Sequence, residues 1–141
     1  MLGTLVCGTL DLLFAVILTL LRGKEPGAML RFVASGPFPD ATGWGSAGSL
    51  LGVVVHFALM AIMVAVLVLL LVRRPELMDT PWRTALAFGV LTYFAMNWVV
   101  VPLRFHTPLP PKLLPLATQL FAHVVLVGMP ATFIARRYLR R

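Results

Sequence analysis

Charge is scarce in this chain. Only 12% of its 141 residues are Asp, Glu, Lys or Arg, with five acids against twelve bases. A soluble domain carries about 25% charged and about 45–50% apolar residues, whereas 60% of this chain is hydrophobic. A water-soluble monomer of this size leaves roughly a third of its surface in solvent and has nowhere to put that excess. The shortage of charge therefore excludes soluble enzymes, nucleic-acid-binding modules and disordered tails. Cysteine is almost missing as well. The single thiol, Cys7, has no partner for an intrachain disulfide, a zinc ribbon, an iron–sulfur cluster or a redox CxxC pair. No phosphate-binding loop and no nucleophile arrangement occurs, so an enzyme is the least favoured class. The chain has neither an internal repeat nor a low-complexity stretch, and 1–141 reads as a single transmembrane domain.

Long apolar runs are what the chain has instead. A bilayer core of about 30 Å takes about 20 apolar residues in helical form. Four stretches qualify, 3–21, 47–72, 84–103 and 113–135, and Asp11 is the only formal charge within them. No water inside a bilayer satisfies backbone groups, so each run must be a helix or part of a closed barrel. The runs lack period-2 alternation, which predicts helices. The expected fold class is an all-α integral membrane protein, a four-transmembrane-helix up-down bundle with a short interfacial helix between the first two spans. Residues 3–21 lack a basic leading segment, exceed a signal-peptide core in length and precede no A-x-A site, so they read as a retained helix.

The connections differ in kind. Residues 26–35 predict the interfacial helix: Pro26 suits a first helical position, and Gly36-Pro37 is a stop signal. There Met29, Leu30, Phe32 and Val33 surround Arg31, as in segments lying at a membrane surface. Thr80-Pro81 reads as an N-cap and its proline. The five prolines of 102–115 predict an extended connection, and Pro130 predicts a kink in the last span. The first and third connections share a side and would partly cover the bundle.

Ten of the twelve bases are Arg. Arg73, Arg74, Arg83, Arg136, Arg137, Arg140 and Arg141 fall on the side of the termini. Arg22, Lys24, Arg31, Arg104 and Lys112 fall on the other. The positive-inside rule then puts both termini in the cytoplasm. The bases following the first span argue the other way; the basic tail 136–141 decides for termini-in. Arg136, Arg137, Arg140 and Arg141 are expected to contact lipid headgroups. Arg31, Arg104, His106 and Lys112 suggest headgroup contact more than an anion-binding ring. Trp44, Trp82, Trp98 and Tyr138 suggest an aromatic belt.

Polar residues inside a span are costly and face the bundle interior. In the first span Thr4, Gly8, Asp11, Ala15 and Thr19 share a helical face. Gly45, Ser49, Gly52 and His56 do so in the second, Gly89, Tyr93 and Asn97 in the third, and Pro115, Gln119 and His123 in the fourth. Counting about 1.5 Å per residue brings Asp11, His56, Asn97 and His123 to similar depth, with Tyr93 and Gln119 nearby. This is the candidate buried polar cluster. Asp and His can relay a proton, bind Zn²⁺, or, as two axial histidines, hold haem iron. Their spacing matches no strong metal motif, so no metal or other cofactor is expected. Mutual satisfaction that fixes helix register is the favoured reading.

Several short motifs resemble a family. These are Gly8-Thr9-Leu10-Asp11, Ala34-Ser35-Gly36, His56-Phe57, Tyr93-Phe94-Ala95-Met96-Asn97 running to Val101-Pro102-Leu103, and His123 followed by Val127-Gly128-Met129-Pro130. Together they resemble a family of small, uncharacterised, four-helix bacterial inner-membrane proteins, distantly similar to YagU-like proteins. The resemblance implies a bacterial inner membrane and singles out the same Asp, His, Asn and His. It implies no activity. The expected function is that of a non-catalytic inner-membrane protein, with an auxiliary subunit of a larger complex as one form. The alternatives are a small transporter or proton-path component acting as an oligomer, and a haem- or metal-binding membrane protein. Expected partners are membrane lipids and other membrane subunits, and no nucleic acid.

Overall fold

The structure, a computed structural model, describes residues 1–140. Among these, 85% are helical and none lies in a strand. Four helices are long and apolar enough to cross a membrane. They are α1 (Leu2–Leu21), α3 (Gly45–Arg73), α4 (Pro81–Phe105) and α5 (Leu113–Leu139), and a shorter α2 (Pro26–Ala34) lies between the first two. Short 3₁₀ turns at Pro39–Gly43 and Pro75–Met78 lead into α3 and α4. Thr80 occupies the N-cap of α4 with Pro81 as its first residue, but the threonine hydroxyl makes no capping bond.

Two prolines lie inside the long helices. Pro102 does not end the third span, and helix continues through it to Phe105. Pro130 lies inside α5 in the same way. A proline within a helix lacks an N–H and its ring crowds the carbonyl four residues back. Both helices accommodate this by a widened π turn directly upstream, Ala95–Val100 in α4 and Ala122–Gly128 in α5. Such turns commonly occur at functional sites. Pro115 falls in the first turn of α5, where a missing N–H removes no bond. The extended connection expected over 102–115 is therefore only 106–112, leaving α4 at His106 in the left-handed region (φ 52°). The basic tail expected at 136–141 is largely helical too, since α5 runs to Leu139.

Close packing joins α1 to α3 and α5, α5 to α4, and α2 to α3. Helices α3 and α4 have no comparable contact with each other. Glycines set the tightest approaches. Gly52 of α3 lies directly beneath the Leu30 carbonyl of α2, and Gly89 of α4 packs against the Val124 backbone of α5. Small residues admit such backbone proximity where no hydrophobic force drives helices together. The enclosed core holds Cys7, Met60, Leu67, Leu71 and Val127. The Cys7 thiol donates to the Val127 carbonyl at 3.5 Å, within the π turn of α5. Large apolar side chains such as Leu13, Ile17, Val54, Ile62 and Leu91 are exposed along the helices, an outer surface suited to lipid.

Candidate functional site

A cavity of about 260 Å³ lies among the helices and is lined by Asp11, His56, Asn97, Gln119 and His123. Each of the four long helices supplies at least one of these polar residues. The two π turns supply Asn97 and His123. Helix α2 closes the space with Met29 and Val33, and Met60, Met63 and Met96 add three more thioethers to its wall. Of the candidate cluster, only Tyr93 is outside the lining. Its ring is buried, edge-on to His123 with centroids 6.1 Å apart, and its hydroxyl accepts a bond from Trp98 Nε1 at 3.4 Å. Tyr93 thus supports the site from behind.

Hydrogen bonds orient both imidazoles. His56 Nε2 is 2.9 Å from the Gly8 carbonyl, which can only accept, so Nε2 carries the proton. In the neutral ring Nδ1 is then a lone pair, and it faces Asp11 Oδ2 at 3.9 Å. That separation is beyond hydrogen-bonding range. An imidazole lone pair and a carboxylate so placed take one proton between them, or a donor from a third group. His123 Nδ1 is 3.2 Å from Thr92 Oγ1. The Thr92 hydroxyl points its own proton at the Phe88 and Gly89 carbonyls, 3.0 Å from each. With that proton so placed, its oxygen accepts from His123 in the Nδ1–H tautomer, in which His123 Nε2 is an acceptor without a partner among the described residues. Asn97 gives one amide proton to the Tyr93 carbonyl at 3.3 Å. Among the described residues the Gln119 side chain has no hydrogen-bond partner. The cavity wall thus presents unfilled acceptors at His56, Asp11 and His123, and unfilled donors at Asn97 and Gln119. No Lys or Arg lines it.

Among the described residues, no three His, Cys, Asp or Glu side chains converge closely enough to hold a metal ion. Asp11, His56 and His123 surround the space without meeting at one point.

Helical spacing alone singles out neither Thr92 nor the methionines. Thr92 is one position off the Gly89, Tyr93, Asn97 face, and methionine in an apolar run gives no polar signal. Arg31, Arg104, His106 and Lys112, expected at lipid headgroups rather than in an anion-binding ring, do not share one environment. Arg104 turns inward and donates to the Gly36 and Ser35 carbonyls at 2.6 and 2.7 Å, tying α4 to the end of α2. Arg31 bonds Ser49 and Glu25, while His106 and Lys112 are exposed. Trp98 is in the π turn of α4 rather than at a helix end, whereas Trp44, Trp82 and Tyr138 are exposed near helix ends. In the basic cluster Arg140 pairs with Asp79, the Nε of Arg136 is enclosed without a partner, and Arg137 is exposed. Arg141 lies outside the described residues.

The fold and the site together define an all-helical protein with four candidate membrane spans around a polar cavity. Comparisons with protein-family models, with curated proteins and with solved structures find no match.

Proposed function

We propose that this chain is a non-catalytic, multi-pass protein of a bacterial inner membrane whose polar cavity binds a small hydrogen-bonding ligand. The spans run up and down, α2 lies at the membrane surface, and both termini are cytoplasmic. The positive-inside bias of the arginines supports that orientation. Membership of the small four-helix family rests on the motifs quoted above. A role as an auxiliary subunit fits a chain whose described residues form helices and short connections with little extramembrane structure. One observation carries the ligand reading. Five polar residues from four helices line a single cavity, and each retains hydrogen-bonding capacity that the chain does not fill. A purely structural network within a bilayer would satisfy itself.

Gentle purification of the wild type, Gln119→Leu and His123→Phe, followed by native mass spectrometry and solvent extraction, tests the proposal. The wild type should retain a small molecule near one equivalent, and both variants should lose most of it, Gln119→Leu with little change in thermal stability and His123→Phe with some loss of it because its bond to Thr92 goes too. Absence of any bound molecule, together with destabilised variants, would leave only a structural network. A second reading, a proton path, is favoured by the Asp11–His56 contact at 3.9 Å. It requires Asp11→Asn to abolish acidification of proteoliposomes reported by a pH-sensitive dye.

A further inference from the structure

A second space adjoins the polar cavity. It is a groove of about 490 Å³ between α3 and α4, whose walls include Val55, Ala58 and Ile62 on one side and Val100 and Phe105 on the other. Phe32 of α2 stacks on Phe105 with centroids 4.3 Å apart and closes one end. The groove occupies the place where α3 and α4 fail to pack closely, and Ala58 and Ile62 on its wall are exposed. In a bilayer this opening faces acyl chains. Val33, Leu59, Met96 and Val101 line both the groove and the polar cavity. An apolar groove therefore shares four wall residues with a chamber of unfilled donors and acceptors.

We infer that the groove and cavity together form a binding site for a lipid-soluble quinone or its quinol, with the ring in the cavity and the tail in the groove. This inference rests on the ligand reading proposed above and names its chemical class. An apolar cleft with a few convergent polar groups is the usual form of such sites. The chemistry of the wall selects the head. Asp11 is present and no Lys or Arg lines the cavity, so a phosphate or carboxylate head would meet a carboxylate with no compensating cation. Arg104, on the groove, already directs Nε and Nη2 at two backbone carbonyls. A neutral head is required, and it must use both kinds of unfilled group. Quinone carbonyls accept from the Asn97 and Gln119 amides. Quinol hydroxyls donate to His123 Nε2 and into the 3.9 Å gap between His56 Nδ1 and Asp11. Met29, Met60, Met63 and Met96 on the same wall offer thioethers, which contact aromatic rings favourably.

The test uses the full chain in phosphatidylcholine nanodiscs and a benzoquinone whose decyl tail ends in a diazirine. Photolysis should label residues 55–62 and 96–105, and excess unlabelled decylbenzoquinone should remove that label. Excess phosphatidylglycerol or diacylglycerol should not. Ala58→Trp fills the groove at an exposed position of α3 and should lower the competed labelling about tenfold or more, as should Gln119→Leu. Labelling spread over every lipid-facing surface and not displaced by quinone overturns the inference. Equal displacement by either lipid overturns it as well, making the groove a phospholipid or diacylglycerol site. If Gln119→Leu abolishes displacement while Ala58→Trp leaves it intact, the cavity binds its ligand without the groove. This inference then falls and the ligand reading stands. If Ala58→Trp abolishes displacement while Gln119→Leu and His123→Phe leave it intact, the cavity holds no head and both fall.

Discussion

Substitution of Gly89 by alanine tests whether α4 and α5 are held together by backbone contact. A Cβ at this position would stand 2.6 Å from Val124 Cα and 2.7 Å from the His123 carbonyl oxygen. Ordinary contact begins near 3.4 Å, so the two helices must part by about 0.8 Å at the joint that holds the π turn of α5. Neither obstacle is a side chain that can rotate away. Overpacking of this kind costs about 1–3 kcal/mol, and alanine returns about 0.5–1 kcal/mol of helix propensity. The expected net destabilisation is about 1–2 kcal/mol. Gly8 provides the control. A Cβ there would meet Phe57 Cε1 at 2.5 Å, an equally short approach but to a ring that can turn. Gly8→Ala should therefore stay within about 0.5 kcal/mol of the wild type. Unfolding by increasing SDS fraction in mixed micelles, followed by circular dichroism, measures both. The reasoning fails if Gly89→Ala matches the wild type, or if Gly8→Ala costs more than Gly89→Ala.

Three further substitutions probe particular bonds. Arg104→Met removes two bonds to the Ser35 and Gly36 carbonyls, each charge-assisted and worth about 1.5–3 kcal/mol. It should expose residues 36–44 to proteolysis, with Arg104→Lys recovering only part of the protection because an ammonium lacks the fork. Unchanged proteolysis would show that α2 is held by other contacts. His56→Phe removes the interhelical bond to the Gly8 carbonyl and should cost about 0.5–1.5 kcal/mol in the SDS assay; a variant as stable as the wild type would contradict the bond. Asp79→Asn removes the exposed pair with Arg140. It should cost less than about 1 kcal/mol and cost nothing near 1 M salt, and a larger, salt-independent loss would argue against a surface pair.

Much of the helix content was legible because bilayer-length apolar runs bear directly on helical length. The departure lies at a proline. The extended connection expected from Pro102 begins only at 106, because a π turn lets the helix pass that proline. Nothing in a local sequence window announces that choice, since it depends on whether the freed carbonyls find partners across the fold. The polar residues were visible because each is an anomaly in its own span, and helical spacing placed Asp11, His56, Asn97, Gln119 and His123 on inward faces. Their common cavity was not visible. It depends on α3 and α4 standing apart and on α2 folding back with Met29 and Val33, and both follow from packing at glycines such as Gly52 rather than from periodicity. Arg104 misled for a similar reason: charge near a span end reads as headgroup contact until two carbonyls at the end of α2 come within reach.

The choice between a structural network and a ligand site is less sharp than the sequence makes it. Inside a bilayer a polar side chain has no water to turn to, so it bonds to groups of the fold. His56 bonds the Gly8 carbonyl, Asn97 the Tyr93 carbonyl and Cys7 the Val127 carbonyl, while His123 is held by Thr92. Imidazole and carboxamide groups have two ends, and in each case only one is committed to the fold. The other end is thereby fixed in direction, which is how hydrogen bonds from behind orient the reactive nitrogen of a histidine in known binding sites. The same bonds that stabilise the helices thus preorganise the cavity. Deleting a whole side chain removes both roles at once and cannot separate them. Gln119, which makes no bond to the fold, is the position where a loss of ligand without a loss of stability is expected.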